Sequence, residues 1–145
     1  MSVFVAKLTW GRRAEAALAL LGETAGPLVV VEALPLAKVL SELGKRPVLC
    51  SQRAATLKRW PGESALIEGG ALPFAPGSIG ALIVTEAWEA GWVDVLAERG
   101  KLVSLVPEAR TEATRRALCA GLIDLEQRPA GRIHATAGTW HRVES

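Results

Sequence analysis

Reactive side chains are sparse in this 145-residue chain, and their spacing narrows the chemistry open to it. His134 and His141 are the only histidines, too few for a three-histidine zinc site, and no HExxH or CxxC spacing accompanies them. His134 alternates with apolar neighbours and reads as a structural strand residue, whereas His141 lies in a polar tail. Cys50 and Cys119 each end or interrupt an apolar stretch (Pro-Val-Leu-Cys and Ala-Leu-Cys-Ala), where thiols are commonly buried and inert. Their spacing gives no disulfide framework. No GxSxG elbow presents a nucleophilic serine, and no GxxxxGK[ST] run cradles phosphates. Glu86 and Glu89 flank Trp88, and at the start of a helix such carboxylates are favoured by the dipole. The residues therefore predict no catalytic set and no metal site.

The tryptophans are the other chemically loaded residues: five of them, with no tyrosine. Trp88 and Trp92 stand four apart, the spacing of a packed helical pair. Trp10, Trp60 and Trp140 fall at element ends or in the tail, beside Arg12-Arg13, Arg59 and Arg142. Tryptophan and arginine are the residue types enriched at interface hot spots, so Trp10, Arg12, Arg13, Trp60 and Trp140 form a candidate interaction surface. The same tryptophans serve equally as covers for the ends of the core. A third reading, aromatics among cations gripping single-stranded nucleic acid, meets an obstacle in the charge. Net charge is only +2, from 17 cations against 15 anions, and the basic doublets are spread along the chain.

The elements that must position these residues follow from apolar patterning. Half of the chain is hydrophobic, enough for one domain over residues 1–145 to bury a core. The longest apolar run starts at Gly26 and stops at Glu32, too short to span a bilayer. The first charges follow the N-terminal apolar run rather than precede it, so a secretory signal is not expected and the reading is cytoplasmic. Trp10 to Leu21 has helical period, with Ala14, Ala17, Leu18 and Leu21 on one face. Leu28 to Val31 reads as a buried strand. A helix follows from about Pro35 to Leu43, closed by Gly44.

Pro47–Cys50, Ala65–Ile67, Ala81–Thr85 and Lys101–Val106 read as further strands. Ala54–Trp60, Glu86–Glu98 and Thr111–Ala120 read as helices, and 69–80 as a loop held irregular by its prolines and glycines. Ile123–Glu126 and Ile133–Ala137, around Pro129-Ala130-Gly131, predict a terminal hairpin. Strands alternating with helices predict an α/β fold, a Rossmann-like three-layer sandwich with a mostly parallel sheet and a C-terminal antiparallel hairpin.

The run Leu72-Pro73-Phe74-Ala75-Pro76-Gly77-Ser78, leading into Ala81-Leu82-Ile83-Val84, resembles the LPF-x-x-GS segment of class I S-adenosylmethionine-dependent methyltransferases. Leu96 to Val103, Gly121 to Leu125 and Ile133 to Gly138 are similar to later segments of that family, in the same order. The resemblance covers roughly residues 28–138. It implies a glycine-rich turn after the first strand, an acidic residue ending the second, and another acid after the third, all toward the cofactor. It also implies that the region of Glu86 and Glu89 faces substrate, where a carboxylate can act as a base.

The chain departs from that pattern at each cofactor position. Glu32 to Leu36 contains no glycine and runs almost directly from strand to helix. The second strand ends in Ser51-Gln52, Gly70 stands where an aspartate is usual, and Gly80 replaces the aspartate before the fourth strand. Each charged hydrogen bond so lost is worth about 1.5–3 kcal/mol. The expectation is a degenerate methyltransferase-like domain with no cofactor and a filled crevice, kept for recognition of another protein or as a homodimer. The alternative is a minimal S-adenosylmethionine-dependent methyltransferase, holding its cofactor through Glu32, Ser51 and backbone near Leu72.

Overall fold

The computed structural model describes the backbone of residues 3–142 and the side chains from residue 7. In chain order the elements are α1 (Val3–Leu21), β1 (Leu28–Val31), α2 (Leu34–Glu42), β2 (Val48–Ser51), α3 (Ala54–Lys58), β3 (Ser64–Leu66) and β4 (Ile79–Val84). A 3₁₀ turn (Ala90–Val95), β5 (Leu96–Ser104), α4 (Arg110–Cys119), β6 (Ile123–Ala130) and β7 (Ile133–Thr139) complete them.

The seven strands lie in the order β3-β2-β1-β4-β5-β7-β6. Strands β1 to β5 run parallel, with Val30 paired to Leu49 on one side and Ile83 on the other. Strand β7 is antiparallel to both its neighbours. The hairpin therefore does more than extend an edge, because β7 inserts between β5 and β6. The turn is Gly131-Arg132, at the far end of the expected Pro129-Ala130-Gly131 turn, and Pro129 lies inside β6 opposite His134. Proline is tolerated there because β6 is the edge strand.

Side chains alternate across the sheet and build a core on each face. Val30, Ile83 and Val103 face α1 and α2, against Ala14, Ala17, Leu36 and Leu40. Val29, Val31 and Leu82 face the other way, against Trp88, Trp92 and Ala117. This is the expected three-layer α/β sandwich. Among the described residues no helix is long and apolar enough to cross a membrane.

One element differs in kind. The expected helix over Glu86–Glu98 is a loop, a 3₁₀ turn and the start of β5. Leu96 pairs with Ile79 and both are buried, so sheet pairing takes residues that a helix would have needed. The Trp92 indole N–H, donating to the Gly70 carbonyl at 2.8 Å, fixes the turn from the other side. The apolar spacing correctly marked Trp88, Trp92, Val95 and Leu96 as buried, but the period was misleading. The cysteines also divide: Cys50 is buried, while Cys119 is exposed. The buried stripe of α4 is Ala113 and Ala117, and a residue two positions further points away from it.

Candidate ligand crevice

In an open parallel sheet, ligands sit beyond the C-terminal strand ends, where successive connections leave to opposite sides. Here that place is between β1 and β4, and its walls are the segments after β1, β2, β3 and β4.

After β1 the chain has only Glu32 and Ala33 before α2 begins at Leu34. Pro35 lies in the first turn of α2 with its φ already helical, and Leu34, Leu36, Ala37 and Leu40 are buried. Burial of that face draws the helix directly onto the strand ends. The tight reversal places Glu32 at φ 65°, a left-handed conformation that costs an L-residue about 1–2 kcal/mol. Its N–H donates to the Cys50 carbonyl at 2.8 Å, extending the β1–β2 ladder. Its carboxylate accepts from the Gln52 N–H, at 3.3 and 3.4 Å to its two oxygens. Thr85, at the end of β4, donates its hydroxyl to the Val31 carbonyl at 3.2 Å across the mouth of the crevice.

The other expected cofactor contacts are similarly engaged. Ser51 is fully buried, and its Oγ accepts from the Arg53 N–H at 2.9 Å. Leu72 is buried in the same core cluster as Val31, Cys50 and Ile67. Glu32 and Ser51 thus do converge at adjacent strand ends, while Leu72 contributes packing. The Cys50 thiol is pushed up to about 12, chiefly by burial and then by the Glu32 charge. A neutral thiol there is inert toward electrophiles.

The glycines that stand in place of acids have local causes. A Cβ at Gly70 would lie 3.3 Å from Glu89 Oε1, so an aspartate there would meet a like charge. A Cβ at Gly80 would stand 1.9 Å from the Ala25 carbonyl oxygen, because the approach to β1 crosses directly over it. No side chain fits at Gly80.

Four surface grooves lie away from these residues. One of about 650 Å³ runs between α4 and Gln127 of β6. One of about 630 Å³ lies at the opposite end of the sheet, near Gly26, Gly44, Lys45 and Arg46. Smaller ones adjoin Trp88 and α4, at about 400 Å³, and the α1–α2 seam, at about 350 Å³. Glu32, Ser51 and Leu72 line none of these four. Among the described residues no three His, Cys, Asp or Glu side chains cluster as metal ligands would.

The aromatic and basic candidates separate. Trp60 is buried against the α1–α2 face, with its indole N–H donating to the Glu63 carbonyl at 3.0 Å. Trp140 packs on the opposite face, so the five residues form no single surface. Burial of Trp60 follows from Pro61-Gly62, which folds the chain back over the ring. Trp10, Arg12 and Arg13 stay together on α1, with the Arg13 guanidinium 4.7 Å from the centre of the Trp10 ring. His134 is half-buried on β7. His141 Nδ1 lies 2.6 Å from Glu98 Oε1, while the Arg142 N–H donates to the other carboxylate oxygen at 2.6 Å. These bonds hold the Glu98 carboxyl below its ordinary range, the His141 contact contributing most. Thr85 was not singled out by sequence, since only the pairing of β1 with β4 brings it to Val31.

The strand order, with β7 reversed between β5 and β6, decides the architecture. The fold is that of the class I methyltransferases. A Thermotoga maritima S-adenosylmethionine-dependent methyltransferase superimposes with a TM-score of 0.72 at 11% identity, over 94% of this chain and 91% of its own. A Burkholderia thailandensis N1-methyltransferase, solved with S-adenosylhomocysteine bound, gives 0.61 at 12% identity, over 97% and 82%. A Haloferax volcanii structure, a complex with the Trm112 methyltransferase activator, gives 0.67 at 14% identity, over 92% and 90%. At such identities the methyltransferase likeness is one of fold. No protein-family model and no curated protein matches the sequence. The residues at the β1 end depart from the glycine-rich turn that the methyltransferase resemblance implies. The connection there is two residues long, and Glu32 turns its carboxylate to Gln52.

Proposed function

We propose that the chain is a non-catalytic methyltransferase-like domain, one unit across residues 1–145, serving in the cytoplasm as a protein-recognition, scaffold or regulatory module. The observation that carries this reading is the Glu32-Ala33 connection, closed onto β2 by the carboxylate of Glu32 itself. Retained architecture with a closed cofactor crevice leaves the surface as the functional part. The Haloferax volcanii complex with Trm112 gives precedent for a protein partner on this fold.

A second reading, a minimal S-adenosylmethionine-dependent methyltransferase, is favoured by the fold comparisons, whose named activities are methyl transfers. Titration calorimetry with S-adenosylmethionine and S-adenosylhomocysteine separates the two. Silence at millimolar ligand is expected, whereas micromolar binding establishes the second reading and removes the first. Size-exclusion chromatography then tells whether the partner is a second copy.

A further inference from the structure

The docking face that the proposed function requires can be narrowed to one place, where α1 meets the tip of the β6–β7 hairpin. Ala14 and Ala17 of α1 lie in one buried cluster with Ala130, Ala135 and Ala137 of the hairpin. Small side chains on both partners let helix and hairpin approach closely. Strands β6 and β7 join at Gly131-Arg132, at the same end of the sheet as the C-termini of the parallel strands. The Arg12 Cδ lies 3.9 Å from where a Cβ on Gly131 would stand, so the aliphatic stem of Arg12 runs along the turn.

Four arginines fall on this side of the molecule. Arg12 and Arg13 come from α1, Arg132 from the turn, and Arg128 from the face of β6 that alternation shares with Ala130. Among the described residues none of the four has a carboxylate within 4.0 Å, a state they share with cations elsewhere such as Arg46 and Arg59, so it is their grouping with Trp10 that marks this face. Glu15, Asp124 and Glu126 are the acids on α1 and β6, and none of them pairs with the four arginines.

Arg13 is also partly desolvated: its Nε is buried without a hydrogen-bond partner, and burial lowers its pKa. Stacked on Trp10, it has already lost much of its rotamer freedom. Such a group gains from a carboxylate without paying again for ordering.

We propose that Trp10, Arg12, Arg13, Arg128 and Arg132 form a docking surface for a carboxylate-rich segment of a partner protein. The proposal rests on the non-catalytic recognition reading and names its site. A protein segment is favoured over nucleic acid on two grounds. One face of Trp10 is covered by Arg13 and so is closed to base stacking. The cations come from one turn of α1 and one hairpin tip rather than from a run of elements that could follow a phosphate backbone. Tryptophan and arginine together are also the types that dominate protein hot spots.

The test uses the full chain and two fluorescein-labelled probes, an octaglutamate peptide and a dT oligonucleotide of equal charge, read by fluorescence anisotropy at low and physiological salt. The expected result is saturable peptide binding that weakens at least tenfold in Arg12→Glu/Arg132→Glu. Both positions are at the surface, and circular dichroism checks the fold of the variant. The control Arg46→Glu/Arg59→Glu makes the same change in net charge away from the site, and should bind within twofold of the parent. Equal losses in both variants, no peptide binding, or tighter binding of the oligonucleotide would each overturn the proposal. A calorimetric cofactor signal would instead sink the non-catalytic reading, leaving the surface to be judged by its own variants.

Discussion

The two halves of the sheet meet the same end of the molecule in different ways. On the β1–β3 side the strands are four, four and three residues long, and β1 and β2 each pass into a helix through a two-residue connection. On the β4–β7 side the strands are six to nine residues, and β4 and β5 leave through segments 85–89 and 105–109. On the first side the connections after β1 and β2 are hydrogen-bonded to each other through Glu32, Gln52, Ser51 and Arg53, and only the segment 67–78 after β3 is long. The second side keeps open loops and carries Glu86 and Glu89, both exposed. In doubly wound folds the first half supplies the nucleotide site. The two halves thus differ in the length of their strands and of the connections after β1 and β2.

That contrast can be broken most severely at Gly80, where the halves join. Gly80→Asp should cost 3 kcal/mol or more, roughly, because the new side chain collides with the Ala25 carbonyl. Loss of the cooperative unfolding transition, or failure to accumulate folded protein, is the expected outcome. A variant as stable as the parent would show that the approach to β1 is not the rigid boundary described.

Trp92→Phe, on the open side, should cost about 1–2 kcal/mol by urea denaturation, since it strands the Gly70 carbonyl that the indole N–H now satisfies. On the closed side, Glu32→Gly should have the opposite sign or be neutral. Relief of the left-handed conformation, worth about 1 kcal/mol, offsets the lost contact with Gln52. A loss of more than about 2 kcal/mol in Glu32→Gly would mean that the contact with Gln52 outweighs the relief of the left-handed conformation.

Thiol chemistry sharpens the comparison further. Cys119 should react at once with a disulfide reagent and Cys50 only at the rate of unfolding. Because the Cys50 thiol titrates near 12 when folded against 9.0 ordinarily, its neutral form is favoured by the fold. Its contribution is complete below pH 9.0 and is lost as pH rises toward 12, by up to about 1.4 kcal/mol per pH unit. Cys50→Ala should flatten that alkaline slope.

The smallest effect lies at the tail. The Glu98 carboxyl is held low by His141 and by the Arg142 N–H, so the clasp persists above the unfolded carboxyl pKa and is released as pH falls through the folded one. The Glu98 carboxyl carbon, followed by NMR on acidification, should report this release, and Glu98→Gln should remove the step.

Much of this architecture was legible in the chain itself. The Leu28–Val31 run, the glycine stops at Gly44 and Gly121, and the final hairpin all depend on local conformational limits that neighbouring residues impose. The absence of a glycine turn between Val31 and Leu36 could be read directly, because a short connection is a fact of sequence. Long-range competition was not legible. Glu86 to Glu98 carries helical spacing, yet pairing of Leu96 with Ile79 makes its end a strand. Trp60 sits beside a basic doublet, yet Pro61-Gly62 turns it into the core. The closure of Thr85 onto Val31, the collision that reserves Gly80 for glycine, and the meeting of Arg12 with the hairpin turn join residues 54, 55 and 119 positions apart. Local rules fix what a segment can be. Which of two feasible states it takes, and which distant side chains it meets, depends on burial free energy that exists only once the sheet has assembled.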